Sequence, residues 1–392
     1  MKFTVIGLGQ CGCRIADQFA RLNLKAHSER KARIAPTVIA VNTDQADLTG
    51  LRFIKNDYMH RVLLGLRQTL GHGVGKINEL GAQLAKEDSD KVLEAVKASP
   101  EFYETHAFLI VAGAAGGTGS GAIPIIASLV KERYPNKPVY GLVVLPFEHE
   151  EHTEDRSVYN TATCLNSVYD IVDAVFLADN QRYVRKDASL INNMEKINRQ
   201  IAEPFYDLMC AGEVTKGKYV GSRTVDAGDL IATLDGWTAI GIGRTELPSF
   251  RFPWEVRKKH FREKALETFR GTQALDATIS ELSITIDPKD AGRATYILAG
   301  PPTELNMDMV KSISDYIKDI SPTALIRGGD FPGEKYFIDL TLILSQLCYV
   351  PKVREYYEKA TQYAHEHKGQ IEETRKRVDA LAELGKELPK LG

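Results

Sequence analysis

Along the first half of the chain, solid apolar runs alternate with stretches of helical period. The runs are residues 3–6 (FTVI), 37–41 (TVIAV), 108–112 (FLIVA), 139–145 (VYGLVVL) and 174–178 (AVFLA). Between them, apolar positions recur at three- and four-residue intervals, through Ile15, Phe19 and Leu22 and then over residues 77–96, 122–132 and 157–171. Strands with no polar side need cover on both faces, and the intervening helices supply it. The pattern predicts an α/β domain with a parallel, Rossmann-like sheet. In such sheets ligands sit at the carboxyl ends of the strands.

Past residue 188 the pattern changes. Residues 189–209 read as one long helix, interrupted or kinked near Pro204, and a Gly-rich stretch follows over 212–228. Strands are expected again at 237–242, 281–286, 294–298 and 336–343, as in a smaller α+β domain. From 352 to 388, Tyr357, Ala360, Ala364, Ile371, Val378, Leu381 and Leu388 keep a three-four spacing, broken at His367, Thr374 and Gly385. This predicts one or two amphipathic helices. The expected division is a parallel-sheet domain over 1–187, a connecting helix over 188–211, a second domain over 212–350 and a helical segment over 351–392.

Composition narrows the function by exclusion. Fifty basic against 52 acidic residues leave a net charge of −2, so no global field invites nucleic acid or an acidic membrane. No apolar run approaches the ~18 residues of a membrane span. The opening MKFTVIGLGQ turns into a Gly-rich loop too early for a secretory leader. Cys11, Cys13, Cys164, Cys210 and Cys348 include no CxxC pair, which argues against a disulfide framework or a zinc site. A reducing, cytoplasmic setting is expected.

Each first-half run leads into a loop of unusual chemistry: GLGQCG, NTD, GAAGGTGSG, PFEHEE and DN in turn. Loops at one edge of one sheet converge on one site. Gly7–Gly12 fits GxGxxG, which alone says that backbone N–H groups and a helix N-terminus face an anion. A dinucleotide site wants an acid ~20 residues further on. Asp44 lies 32 residues after Gly12, a strained fit that an insertion at 27–33 would explain. The 113–121 loop is more telling. Five of its nine residues are glycine, so backbone amides can surround a phosphate, and Thr118 and Ser120 add hydroxyls. A second cradle of this length suits a triphosphate. Other motifs are weaker. His149-Glu-Glu-His152 is not HExxH, and Gly71–Lys76 lacks the Ser/Thr of a Walker A loop. Cys11 at a helix N-terminus reads as a reactive thiol or, more simply, as a small packing residue.

GGTGSG at 116–121 resembles the tubulin/FtsZ signature, and GQCG at 9–12 is similar to tubulin's first phosphate loop. VIAVNTDQADL at 38–48 resembles the second strand and loop of FtsZ. GHGVG at 71–75, with NELG after it, resembles the third loop of archaeal CetZ proteins. WTAIGIG at 237–243 and RGGD at 327–330 are CetZ-like as well, although the resemblance thins beyond residue 230. It implies a tubulin/FtsZ-like fold and a GTPase that uses GTP/GDP and Mg2+. It places Gln10, Cys11, Gly12, Cys13 and Arg14 at the phosphates, with Gln10 in indirect contact with Mg2+. Asn42 and Asp44 would line the second loop and Gly73 the third. Gly113, Ala114, Ala115, Gly116, Gly117, Thr118 and Gly119 would wrap the phosphate tail. Glu150 would accept from sugar hydroxyls, and Asn180 and Asn198 would read the guanine edge, for which an amide offers donor and acceptor together. Met194 would lie against the base, where other members often carry an aromatic ring.

Val225-Asp226-Ala-Gly-Asp229-Leu230 resembles the family's synergy loop, whose acids reach into the pocket of the next subunit. Asp226 and Asp229 are thereby implied as catalytic. From the residues alone, they are equally ordinary N-terminal helix charges. Thr224 stands where FtsZ proteins commonly have asparagine. The resemblance implies head-to-tail self-association into filaments, room for adaptor proteins, and a CetZ-like role in cell shape. A division-ring role is the near alternative. A nicotinamide-dependent oxidoreductase and a GTP-binding protein that neither assembles nor turns over stay open.

Overall fold

The computed structural model describes residues 1–184, 190–211, 213, 225–247, 261–333 and 336–365. The strands are β1 (Phe3–Leu8), β2 (Thr37–Asn42), β3 (Arg61–Leu63), β4 (Ala107–Gly113), β5 (Val139–Leu145), β6 (Ala174–Asp179), β7 (Gly236–Glu246), β8 (Ala291–Gly300), β9 (Leu325–Pro332) and β10 (Phe337–Leu347). They form one ten-stranded sheet in the order β3-β2-β1-β4-β5-β6-β7-β10-β8-β9. The first six are parallel, as the unbroken apolar runs require. Alternate residues serve opposite cores. Phe108 and Ile110 of β4 pack with residues of the Thr118–Arg133 and Asp155–Tyr169 helices. Leu109 and Val111 pack with residues of the Gly9–Arg30 and Leu190–Ala202 helices.

The second half extends the same sheet. β7 pairs with β6 in parallel over Ala174–Phe176 and Gly236–Thr238, and β10 runs antiparallel between β7 and β8. Residues 281–286, expected as a strand, form none. Ser283 instead wedges between β6 and β7 where they diverge. Its hydroxyl donates to Leu177 O at 2.6 Å and accepts from Ile240 N at 3.1 Å, while its carbonyl accepts from Asp179 N at 2.8 Å. β9 was not expected, because LIRGGDFP carries two glycines and a proline. It pairs with β8 along its whole length, and Gly328 makes room for the Tyr296 ring, since a Cβ there would lie 2.1 Å from Cζ.

One helical expectation changes in detail. Residues 77–96 divide into Asn78–Glu87 and Ser89–Ala98, with Asp88 between them accepting from Gly65 N at 2.7 Å. The long helix is interrupted at Pro204, as expected, into Leu190–Ala202 and Phe205–Cys210. Residues 27–30 form the last turn of the Gly9–Arg30 helix. Residues 351–365 are helical. The periodic positions Ile371, Val378, Leu381 and Leu388 lie outside the described residues, as do Thr224 and most of the Gly-rich stretch.

Candidate functional site

Two helices begin at the carboxyl edge of the parallel strands with no side chain capping them and no acid in their first turns: Gly9–Arg30 after β1 and Thr118–Arg133 after β4. Their free N–H groups and positive dipole ends suit an anion. The glycines let the two loops touch backbone to backbone. Gly9 has φ +68°, and a Cβ there would lie 2.8 Å from Gly119 N, while one on Gly12 would lie 2.1 Å from Val111 O. Gly116 differs, since its Cβ would enter open space. The Thr43 and Thr118 hydroxyls meet at 2.6 Å. Ser120, expected as a ligand donor, gives its hydroxyl to Gly116 O instead.

These loops enclose a cleft of about 290 Å³. Gln10, Cys11, Asn42, Asp44, Gly73, the whole 113–119 loop, Glu150, Asn180 and Met194 all line it. Asp44 is the N-cap of Gln45–Thr49, its carboxylate accepting from Ala46 N at 2.9 Å and Asp47 N at 3.1 Å. Burial pushes the Cys11 thiol up to about 12, which keeps it protonated near neutral pH, although the residue is only half-buried and lines the cleft. Asp179 is raised as well, first by burial, and accepts from Gln181 N at the turn that carries Asn180.

Four expected residues stand apart from this lining. Gly12 is packed under the loop. Cys13 is fully buried, its Sγ 3.4 Å from both Gly7 O and Val41 O, which is core packing. Arg14 is exposed on the Gly9–Arg30 helix. Asn198 is buried one turn beyond Met194 on a helix that packs beside the Asn180–Tyr183 turn.

Sequence reasoning missed Asp47, Lys76, Phe147 and Asn160. Asp47 lines the cleft and takes hydrogen bonds from Gln10 Nε2 at 2.6 Å and Asn42 Nδ2 at 3.0 Å. Its signal was present in the NTDQAD segment, where acids recur at three-residue spacing on one helix turn. Lys76 lines the cleft at φ +61° and is paired with Glu154. Asn160, fully buried, donates to Lys76 O at 2.9 Å and Ala115 O at 3.1 Å, locking the third and fourth loops together. Nothing in its local sequence announces this.

Asp44, Asp47 and Glu150 face one already-paired lysine across the cleft. A bound phosphate chain would therefore rest on backbone N–H groups and need a divalent cation with it. Among the described residues no cluster of three or more His, Cys, Asp or Glu could hold a metal alone. Mg2+ takes one or two carboxylates together with phosphates and water; were it bound here with a nucleotide, Asp47 and the Gln10 amide oxygen are the cleft groups that would hold it. Glu151 of the HEEH run is not available, being paired with Lys352 and Lys359.

Asp226 and Asp229 are elsewhere. Asp226 caps the Ala227–Thr233 helix, accepting from Asp229 N at 2.8 Å, and Asp229 returns the bond to Asp226 N at 3.5 Å. Arg327 Nη1 donates to Asp229 O at 2.8 Å, and its Nε lies 3.8 Å from the carboxylate. The helix leads into the start of β7, which pairs with the start of β6, whereas Asn180 follows the end of β6. Arg293 and Arg327, which brace the helix, likewise sit near the starts of β8 and β9. Cleft and acids thus occupy opposite edges of the sheet, separated by at least the length of β6, roughly 17 Å. A chain cannot bring its own acids to its own cleft.

Residues 2–186 match the Tubulin/FtsZ family, GTPase domain, and residues 187–362 match the Tubulin-like CetZ, C-terminal domain. The chain is 33% identical to the tubulin-like protein CetZ1 of Haloferax volcanii, over 96% of this chain and 94% of that one. Among solved structures, the GDP-bound monomer of CetZ1 superposes with a TM-score of 0.79 at 31% identity, covering 93% of this chain and 99% of that one. The GTPγS-bound protofilament of CetZ2 from the same organism gives 0.79 at 27% identity, covering 94% and 100%. No described helix is long and apolar enough to cross a membrane. With glycine-lined phosphate loops at one edge of the sheet and matching models along 2–362, the chain belongs to the tubulin/FtsZ family of GTPases and, within it, to the tubulin-like CetZ proteins.

Proposed function

We propose that this protein binds GTP with Mg2+ in the 290 Å³ cleft, assembles head to tail, and hydrolyses GTP where two molecules meet. The observation that carries this reading is the placement of cleft and acids on opposite edges of one sheet. A contact joining two different surfaces is heterologous and, without ring closure, builds an open filament. In that contact the Asp226 and Asp229 carboxylates of one molecule face the nucleotide of the next. Phosphoryl transfer to water depends on positioning and charge stabilisation. The incoming carboxylates orient the attacking water, the loop N–H groups hold the phosphate oxygens, and Mg2+ neutralises their charge when bound. Glu150 serves the sugar, and Asn180 and Asn198 the guanine edge. The protofilament form of CetZ2 supports the assembly part of the reading. Membership of the CetZ group supports a cytoskeletal role in cell shape.

The test is GTP turnover per molecule as a function of protein concentration. Turnover is expected to rise steeply with concentration and to collapse in Asp226→Ala and Asp229→Ala while GTP binding persists. Constant turnover per molecule, with both variants active, would sink the proposal.

A further inference from the structure

Glu151 follows the cleft residue Glu150 on the same short helix, Glu148–Thr153, yet does not line the cleft. Its side chain is only 3% exposed. Oε1 accepts from the Tyr356 hydroxyl at 2.5 Å and pairs with Lys352 Nζ at 3.1 Å; Oε2 pairs with Lys359 Nζ at 3.2 Å. Lys352, Tyr356 and Lys359 are spaced four and three apart, so they share one face of the 351–365 helix. Burial, and then the neighbouring Glu151 carboxylate, push the Tyr356 hydroxyl far above its usual range, so it stays a donor. The helix also sets Val353 and Tyr356 into the core and brings Tyr363 to 6.1 Å from Tyr159.

A buried carboxylate tolerates displacement poorly, because losing one partner leaves charge uncompensated. The segment that carries Glu151 touches the cleft at both ends. Phe147 and Glu150 line it, with Glu150 Oε2 accepting from Phe147 N at 3.1 Å, and Glu154 holds Lys76. Fixing Glu151 therefore fixes that wall.

We propose that the 351–365 helix acts through Glu151 as a strut that positions the sugar-side wall of the nucleotide cleft. The inference rests on the nucleotide reading above and adds a role for the terminal helix. Glu151, Lys352, Tyr356 and Lys359 are positioning residues that set where Glu150 meets the sugar hydroxyls.

The experiment compares binding of GTP and 2′,3′-dideoxy-GTP to the full chain, wild type against Glu151→Gln, with Tyr356→Phe and the pair Lys352→Met/Lys359→Met as milder and complementary changes. The wild type should prefer GTP. In Glu151→Gln and the double-lysine variant, GTP affinity should fall about tenfold and the preference should shrink toward that of Glu150→Gln, with circular dichroism unchanged. Tyr356→Phe should move the same way by less. A merely structural role weakens both nucleotides equally and leaves the preference intact, and that result overturns the strut. If the wild type binds GTP with no preference over the dideoxy form, the sugar contact and the strut both fall while the phosphate site stands. If it binds neither nucleotide, the cleft itself has been misread.

Discussion

The hydroxyls of Thr43 and Thr118 lie 2.6 Å apart and tie the loop after β2 to the loop after β4. The loop after β2 is also bridged to the third loop, Gly73 N donating to Thr43 O at 3.1 Å and Gln45 N to Gly71 O at 3.0 Å, so the threonine pair adds a direct link from the second loop to the fourth at the phosphate end of the cleft. Thr43→Val is nearly isosteric and removes one such bond, worth about 1 kcal/mol. GTPγS affinity by titration calorimetry should drop roughly five- to tenfold. Thr118→Ala added to it should cost less than the two single losses combined, because the partners share one interaction. Independent, additive losses would show that the bond does not act as a unit.

The glycines divide into those that pack and those that face the ligand. A Cβ on Gly12 would lie 2.1 Å from Val111 O, a backbone atom of β4 that cannot move aside. Gly12→Ala should lower stability by about 3 kcal/mol or more in urea melts. Gly116→Ala meets nothing within 4 Å. It should stay within ~0.5 kcal/mol of wild type in the same melts while weakening nucleotide binding, since its methyl enters the cleft. Equal melting curves for the two variants would contradict the assignment.

Cys11 lies at the cleft, but burial holds its thiol up at about 12, so almost no thiolate forms near neutral pH. Cys348 is exposed, and Cys13, Cys164 and Cys210 are buried. Iodoacetamide on the folded protein should therefore label Cys348 first by mass spectrometry, with Cys11 modified only after denaturation. Rapid labelling of Cys11 in the native state would contradict the packing role.

Arg327 holds the backbone of Asp229 at 2.8 Å and lies beside its carboxylate. Arg327→Gln should leave GTPγS affinity unchanged, because Arg327 sits at the far edge of the sheet. It should slow turnover in assembled protein about tenfold, with Arg327→Lys recovering part of the loss. Full turnover in Arg327→Gln filaments would show that Asp229 needs no such brace.

The parallel half of the fold was readable because residues such as Leu109, Ile110 and Val111 leave no polar face to expose, and only a doubly covered strand accepts that pattern. The second half was less readable for identifiable reasons. ELSITI at 281–286 alternates like a strand, yet Ser283 spends its hydrogen bonds bridging β6 and β7, a tertiary use that local pattern does not show. LIRGGDFP looks like a loop until Tyr296 is seen to fill the place of the missing Gly328 side chain. At the site, the loops announced themselves through glycine. Asn160 and Glu151 did not, because each acts by bonding to segments distant in sequence. Of the two readings of the acids, the structure displays the helix-terminal one: Asp226 caps the Ala227–Thr233 helix and Asp229 completes the capping box.

On the proposed function, the cleft of one molecule is completed by the acids of another. Mixing two inactive variants tests it most directly. One, Asp226→Asn/Asp229→Asn, keeps the cleft and loses the acids; the other, Gly116→Val, keeps the acids and blocks the cleft. Each alone should release no phosphate from GTP, and turnover should reappear on mixing. A mixture as silent as its components, under conditions where the two variants co-sediment, would contradict it.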